Sequence, residues 1–539
     1  MRNWECEMGN DVNSTVRSSA PHSPFPIPHF LHRHPLLRDA LLWAIPALIA
    51  GTILRLLLLH YSPYAYWGAD SRSFFGFTNG VLNDFYFSLS EKRRYLYPIF
   101  LLPVTMLPGA ALKALAWIQA GMGLLAILPF AYFIRRVFVG WKILVVPMTV
   151  LYAGLPVFLW HEHELIAETL YFDALICALA GWAAWVSQRD VERARRLWWT
   201  FFVPFAVMVL TKPSSKFLWP GIAIAFVAVF AWRTLRWKEW AALGALFLAG
   251  LTVGDDDQAA WLLYNTAFPL TQLETPLHAD YKAEIADWVR KKRERVDDYS
   301  NEDYEVQYFL RGSDKGSDRP LWRKLMKNAR EQERVYKDLA LEGIRAHPDL
   351  FVYIALQRLV RCANLSDFKP DRFEATYNSR RFVEQIEKQR NPDSMVRLAF
   401  GLPKSEPLPP APQFAAWLAP HPDSAAATWL VNYVRAYDHA GDLVTRPQGD
   451  ETPIWQCRPT PLAWWLLLGI ALSLVPPYLR TLGVWNVMTL GYLAAVYLVG
   501  IQQTRYIAPA WPIFLLTLGV VIDWPLRWLA SRRTVAVSA

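Results

Sequence analysis

The sequence predicts an all-α polytopic membrane protein of about ten transmembrane helices that carries a mainly helical, water-facing insertion. Composition is the first ground: 53% of the 539 residues are hydrophobic, 14% are aromatic and the mean hydropathy is +0.13, too apolar for a soluble enzyme and too polar for a bare helix bundle. The second is a set of stretches approaching the ~20 apolar residues that a helix needs to cross a bilayer. The third is a regular alternation of Lys and Arg between the loops that join them.

The apolar stretches lie near 39–60, 111–134, 142–160, 165–187, 197–211, 216–232, 238–254, 461–479, 484–501 and 506–526. Arg135, Arg136 and Lys142, then Arg189 to Arg196, then Arg233, Arg236 and Lys238, and finally Arg527, Arg532 and Arg533 fall on one side. Short basic loops stay cytoplasmic, so both termini are expected there. The other side then carries a long first exoplasmic loop (61–110), the HEHE segment (161–164) and a large insertion.

The expected organisation is a disordered cytoplasmic tail (1–36), an N-terminal transmembrane module (37–254), an exoplasmic insertion (255–460), C-terminal transmembrane helices (461–526) and a second cytoplasmic tail (527–539). The first tail is rich in Pro, His and Ser and lacks the charged-apolar-small order of a cleavable signal. Inside the insertion, 321–347 has the charge density of solvated helices, 349–363 has an apolar face suited to a bilayer surface, and the Pro-rich run from Leu402 reads as a linker. Basic residues flanking the spans explain much of the net charge of +9, so no nucleic-acid partner is expected.

Four cysteines without a CxxC exclude a zinc ribbon and a thioredoxin-type site. Cys6 is placed in the cytoplasmic tail and Cys177 within a span. Cys362 and Cys457 share the insertion and are either a disulfide in an oxidising compartment or two unrelated thiols.

The candidate chemistry gathers on the exoplasmic side. Asp70 follows the exit of the first span, where a carboxylate is suited to take a proton from an acceptor hydroxyl. It is equally suited to cap the helix that SRSFFGFTNGVL would form. Lys92, Arg93 and Arg94 place positive charge on the side where it is scarce, which fits an anionic partner such as a phosphate or a lipid headgroup.

HEHELIAETLYFDALICAL is expected to open the fourth span, with His161, Glu164 and Glu168 on one helical face. Such a face suits a divalent metal, with His161 and Glu164 as ligands, or a second acidic catalytic group at Glu168. Lys212 and Lys216 in LTKPSSKFLWP, and Arg505 in QQTRYIAPAWP, are phosphate-binding candidates, with snorkelling to headgroups as the alternative. Snorkelling is also the expectation for Arg55. Asp255 to Asp257 read as a solvated helix end.

Taken in order, ADSRSFF, RRYLYPIFLLPV, LIAETLYFDALICAL, LTKPSSKFLWP and RYIAPAWP resemble the GT-C superfamily of glycosyltransferases, in the branch of protein O-mannosyltransferases and lipid A aminoarabinose transferases. The resemblance covers roughly 37–265 and the final helix. It implies a polyprenyl-phosphate-sugar donor, a glycan, lipid or protein acceptor, and inverting transfer at the outer face of a bacterial inner membrane. It assigns Asp70 as base, Glu168 as the acidic position opening the fourth helix, and Lys212 as the lysine near the lipid phosphate. The first loop has Asp-Ser where the mannosyltransferases commonly have Asp-Glu.

Two other functions are compatible with the chain. One is a lipid or sugar transporter or flippase, which paired repeats and midplane charges would mark. The other is a non-catalytic assembly protein of the cell envelope.

Overall fold

The computed structural model describes residues 34–68, 70–84, 94–138, 141–188, 190–228, 235–252, 262, 263, 267–292, 321, 325, 328–362, 392–418, 425–442, 461–499 and 506–538. These residues are helical, with one isolated parallel bridge between Tyr66 and Glu164 and no longer strand among them. The N-terminal tail, Asp255 to Asp257 and Cys457 lie outside the described residues.

The N-terminal part is built from α1 (Pro35–Trp43), α2 (Ile45–Tyr61), α3 (Ser71–Asn79), α4 (Leu96–Thr105), α5 (Ala111–Val137), α6 (Val145–Gly154), α7 (Pro156–His163), α8 (Glu168–Val186), α9 (Val191–Thr211), α10 (Trp219–Ala228) and α11 (Trp237–Thr252). The insertion supplies α12 (Ala279–Lys292), α13 (Ala329–Ala346), α14 (Pro348–Cys362), α15 (Pro392–Phe400), α16 (Ala411–Leu418) and α17 (Ala425–Asp442). The chain closes with α18 (Pro461–Ser473), α19 (Val484–Val499) and α20 (Trp511–Ser538).

Among the described residues, four helices are long and apolar enough to cross a membrane: Ala111–Val137, Glu168–Val186, Leu479–Leu498 and Ala508–Leu529. Two bent pairs, α1 with α2 at 42° and Lys142–Gly154 with α7 at 47°, raise the number to six if each is one span. Proline explains both bends, since Pro46 and Pro156 open the second member of each pair, where the missing N–H costs nothing. The other expected spans fall on α9, which begins with charges from Glu192 to Arg196, and on α10, α11 and α18, which extend over 10, 16 and 13 residues.

α8 lies at the centre, packed along α9 and α5. The approach to α9 is close because position 181 is glycine: a β-carbon there would overlap the backbone of Thr200 and Phe201. Around this contact Trp182 and Trp185 pack against Phe201, with ring centroids 5.2 and 5.8 Å away. Gly181→Ala is therefore expected to destabilise the bundle by about 1–3 kcal/mol, the usual range for overpacking. An unchanged thermal midpoint in the same detergent would refute this contact.

The two ends of the bundle differ in chemistry. α5, about 40 Å long at 1.5 Å per residue, begins beside the first loop, where the Ala65 N–H donates to the Leu112 carbonyl (3.0 Å). Its other end is a cluster of the basic residues that the sequence placed on one side. Arg135 and Lys142 meet Asp39 at 3.5 and 2.9 Å. Arg527 donates to the Val137 carbonyl (3.1 Å) and to Asp523 (2.5 Å), which also accepts from the Tyr478 hydroxyl (2.5 Å). Cations at a helix C-terminus satisfy its orphan carbonyls and oppose its dipole.

The insertion has two parts. α12 and α13 enclose a small core of Phe268, Ile285, Val335, Tyr336 and Leu339, with a buried Lys282–Glu342 ion pair (2.5 Å) beside it. α13 starts at Asn328, whose side-chain oxygen accepts from the Glu331 N–H (3.3 Å). The second part docks on the N-terminal helices. Met395, Val396, Ala399, Phe400 and Leu418 pack with Trp67, Phe74, Phe75 and Tyr97 of the first loop and α4. A β-carbon at Gly401, at φ +67°, would overlap the backbone of Gly109 and Ala110, and Gly109 itself, at φ +94°, has a conformation that favours glycine. α17 reaches the α6–α7 break, where the Tyr433 hydroxyl donates to the Gly154 carbonyl (2.6 Å). The stretch expected to follow the bilayer surface, α14, packs against α19.

Candidate active site

The first loop and the segment after α7 are sewn together at the end of the bundle opposite the basic cluster. The Tyr66 N–H donates to the His163 carbonyl (2.6 Å), and the Leu165 N–H donates back to the Tyr66 carbonyl (2.9 Å). The Ser71 hydroxyl donates to the Leu165 carbonyl (2.7 Å) and accepts from the Gly68 N–H (2.8 Å). The Tyr66 ring stacks on Trp160 and meets His163 edge-on, with centroids 4.6 and 4.8 Å away. Burial raises the pKa of its phenol and so keeps it neutral.

This seam fixes Asp70. The residue occupies the N-cap position of α3, yet its side chain makes no capping hydrogen bond; the Ser73 N–H and hydroxyl bond its backbone carbonyl instead (3.1 and 2.7 Å). The capping alternative therefore does not describe the carboxylate. Two residues earlier, Gly68 leaves room for the Glu164 carboxylate, which a β-carbon at that position would overlap.

The HEHE segment closes a helix instead of opening one. His161 and His163 are in the last turn of α7, Glu164 is extended (φ −102°, ψ 142°), and α8 starts only at Glu168. His161, Glu164 and Glu168 consequently do not share one helical face, which corrects the i, i+3, i+7 expectation. Backbone bonds from Tyr66 and the Gln119 amide to residues 162–165 override the continuous helical pattern. His161 Nδ1 lies 3.4 Å from Glu164 Oε2, which also accepts from Trp160 Nε1–H (3.1 Å). Among the described residues, no group of three or more His, Cys, Asp or Glu side chains is arranged to hold a metal ion.

Glu168 and Lys212 form a buried ion pair at 2.9 Å, the lysine reaching from the end of α9 to the start of α8. The Lys212 ammonium also sits over the rings of Tyr506 (4.5 Å) and Tyr171 (5.5 Å). Tyr171 in turn lines an apolar pocket with Leu175, Leu218, Trp485, Tyr492 and Ile513. Lys216 is half-buried in the next turn over Phe217 (5.6 Å). Arg94 is buried, and its guanidinium donates to the Ala249 and Gly250 carbonyls near the end of α11 (3.2 and 2.6 Å). Lys92, Arg93 and Arg505 lie outside the described residues.

Several residues of this region were not read from the sequence. Arg55 does not snorkel: it is buried and pairs with Glu162 at 2.5 Å, while also donating to the Ala153 carbonyl (3.3 Å). Gly123 permits the approach, because a β-carbon there would strike the Glu162 carboxylate. Gln119, fully buried in α5, accepts from the Tyr97 hydroxyl (2.8 Å) and donates to the Glu162 and Glu164 carbonyls (2.9 and 2.8 Å). A lone amide in the run ALAWIQAGMGLLAIL was the available signal, since polar groups at membrane depth need partners.

No protein-family model matches the chain, and no characterised protein matches it by sequence. Two solved structures are similar to it. An oligosaccharyltransferase of Archaeoglobus fulgidus, in complex with zinc and sulfate, shares 13% identity over 91% of this chain and 51% of its own, with a TM-score of 0.36; this chain thus spans about half its length. ArnT of Cupriavidus metallidurans, bound to undecaprenyl phosphate, shares 12% identity over 89% of this chain and 76% of its own, with a TM-score of 0.30.

Proposed function

We propose that the chain is a glycosyltransferase that moves a sugar from a polyprenyl-phosphate-linked donor to a cell-envelope acceptor, a glycan, lipid or protein, with inversion at the anomeric carbon. One observation carries this reading: the seam between Tyr66 and Glu164 joins the loop bearing Asp70 to the segment leading into Glu168, whose carboxylate pairs with Lys212. Carboxylate and ammonium groups are thereby gathered at one end of a bundle of apolar helices, above an apolar pocket that shares Tyr171 with the lysine.

In this reading Asp70 accepts the proton of an acceptor hydroxyl as its oxygen attacks the anomeric carbon. The bond from that carbon to the phosphate oxygen breaks, and the lipid phosphate leaves with the electron pair. Negative charge grows on the leaving phosphate, so Lys212, with Lys216, Arg93 and Arg505 as further candidates, stabilises the transition state more than the ground state. Glu168 orients Lys212. The basic cluster around Arg135, Lys142 and Arg527 then faces the cytoplasm of a bacterial cell, and Asp70 faces outward.

The test is incubation of the purified chain with undecaprenyl-phosphate-linked sugars and envelope acceptors, alongside a transport assay in sealed vesicles. Sugar transferred to an acceptor with release of undecaprenyl phosphate is the expected result. Movement of intact lipid-linked sugar across the vesicle without any new bond would replace the proposal by a flippase.

A further inference from the structure

Gln119 has three hydrogen-bonding contacts and no capacity to spare on its donor side. Both N–H groups of its amide are used, one on the Glu162 carbonyl and one on the Glu164 carbonyl, and its oxygen accepts from Tyr97. The partners fix which way the amide points, because two carbonyls can only face the nitrogen. The side chain is fully buried in the middle of an apolar helix.

The carbonyls it holds belong to the non-helical stretch between α7 and α8. A helix that ends inside a protein leaves carbonyls without intrahelical partners, and no water is present at membrane depth to replace them. Gln119 donates to the Glu162 carbonyl and, beside the Ile166 N–H (2.9 Å), to the Glu164 carbonyl, as the chain leaves α7 at His163, extends through Glu164, pairs with Tyr66 and re-enters a helix at Glu168. A continuous helix through the same residues would carry Glu164 away from Gly68 and rotate Glu168 relative to Lys212.

From this geometry we infer that Gln119 is a positioning residue: it sets the turn that presents the Glu164 carboxylate beside Gly68 and the Glu168 carboxylate to Lys212. Tyr97 extends the clasp to α4, so α4 and the stretch leaving α7 are held by one amide. The kinetic part of this inference rests on the transferase reading above; the structural part does not.

The experiment compares the wild-type chain, Gln119→Met and Tyr97→Phe, each full-length and in the same detergent. Hydrogen exchange is followed in peptides covering 64–71 and 162–169, together with undecaprenyl phosphate binding and steady-state kinetics. Gln119→Met is expected to speed exchange at Tyr66, Leu165 and Ile166 while exchange in α9 and α20 is unchanged. It is expected to lower kcat by on the order of 10²-fold, with KM for the lipid-linked sugar and undecaprenyl phosphate binding preserved. Tyr97→Phe removes the bond to the Gln119 oxygen and the hydroxyl's contact with the Ile166 N–H but leaves both Gln119 donations, so its effects at Tyr66 and Leu165 should be smaller and in the same direction.

Unchanged exchange in both peptides would overturn the inference. So would faster exchange throughout the bundle, or full kcat despite an opened turn. If Gln119→Met does not fold, Tyr97→Phe carries the test alone, read at Tyr66 and Leu165, whose N–H groups donate across the seam; faster exchange there is expected and unchanged exchange is fatal. A wild-type chain that turns over no lipid-linked sugar defeats the transferase reading only; the exchange result then still decides whether Gln119 holds the turn.

Discussion

Asp70→Asn is expected to lower kcat by about 10²–10⁴-fold, the range that a positioned general base contributes, with the unfolding midpoint unmoved. The two halves of this expectation come from different observations. Asparagine cannot accept the acceptor's proton, so the chemical step fails. Stability is spared because asparagine keeps the shape of the side chain, and the seam that fixes the loop runs through Tyr66, Ser71 and Leu165. Turnover measured beside thermal unfolding separates the possibilities. Full turnover by a folded Asp70→Asn chain would remove Asp70 as the base.

The second large effect concerns Glu168 and Lys212. Removing one member of a buried ion pair strands the other charge, at a cost of about 3–5 kcal/mol. Lys212→Met alone is therefore expected to lower stability by that amount and to abolish turnover. Replacing both, Glu168→Leu with Lys212→Met, removes both desolvated charges and should regain most of the stability, because an apolar pair often substitutes for a buried ionic one. Turnover should not return. A double variant as unstable as the single one would show that the pair is not the relevant contact, and an active double variant would show that neither group serves catalysis.

Asp70, Glu168 and Lys212 stand out in the sequence as candidates because each lies near the end of an apolar run, and the ends of apolar runs are what a hydropathy pattern reveals. Their mutual placement followed only in part. Glu168 and Lys212 are 44 residues apart and meet because α8 and α9 are antiparallel neighbours, which a short connection implies. Arg55 and Glu162, 107 residues apart, carried no such signal, and an arginine near a helix end is most simply read as snorkelling. The break after His163 was hidden for a different reason. Its local sequence is a good helix, and the interruption is imposed by Tyr66 from one side and Gln119 from the other.

The insertion was the least legible part. The charge density of 321–347 is that of a helix, and α13 is one, but no residue pattern signals that α15 to α17 return to the N-terminal helices. That contact is made by scattered apolar residues such as Met395, Phe400 and Leu418, which look like any other helix face until the partner surface is known.

Docking of α15 and α16 on the first loop imposes an order on biosynthesis. Roughly 350 residues separate Ser71 from Leu418, so at about 5–20 residues per second the loop emerges some 20–70 s before its cover exists. Throughout that interval Trp67, Phe74 and Phe75 have their local partners, such as Tyr97 and Leu112, but lack Met395, Phe400 and Leu418. A nascent chain of this protein thus carries the first loop with one apolar face uncovered, and that face is covered only after Leu418 has been made.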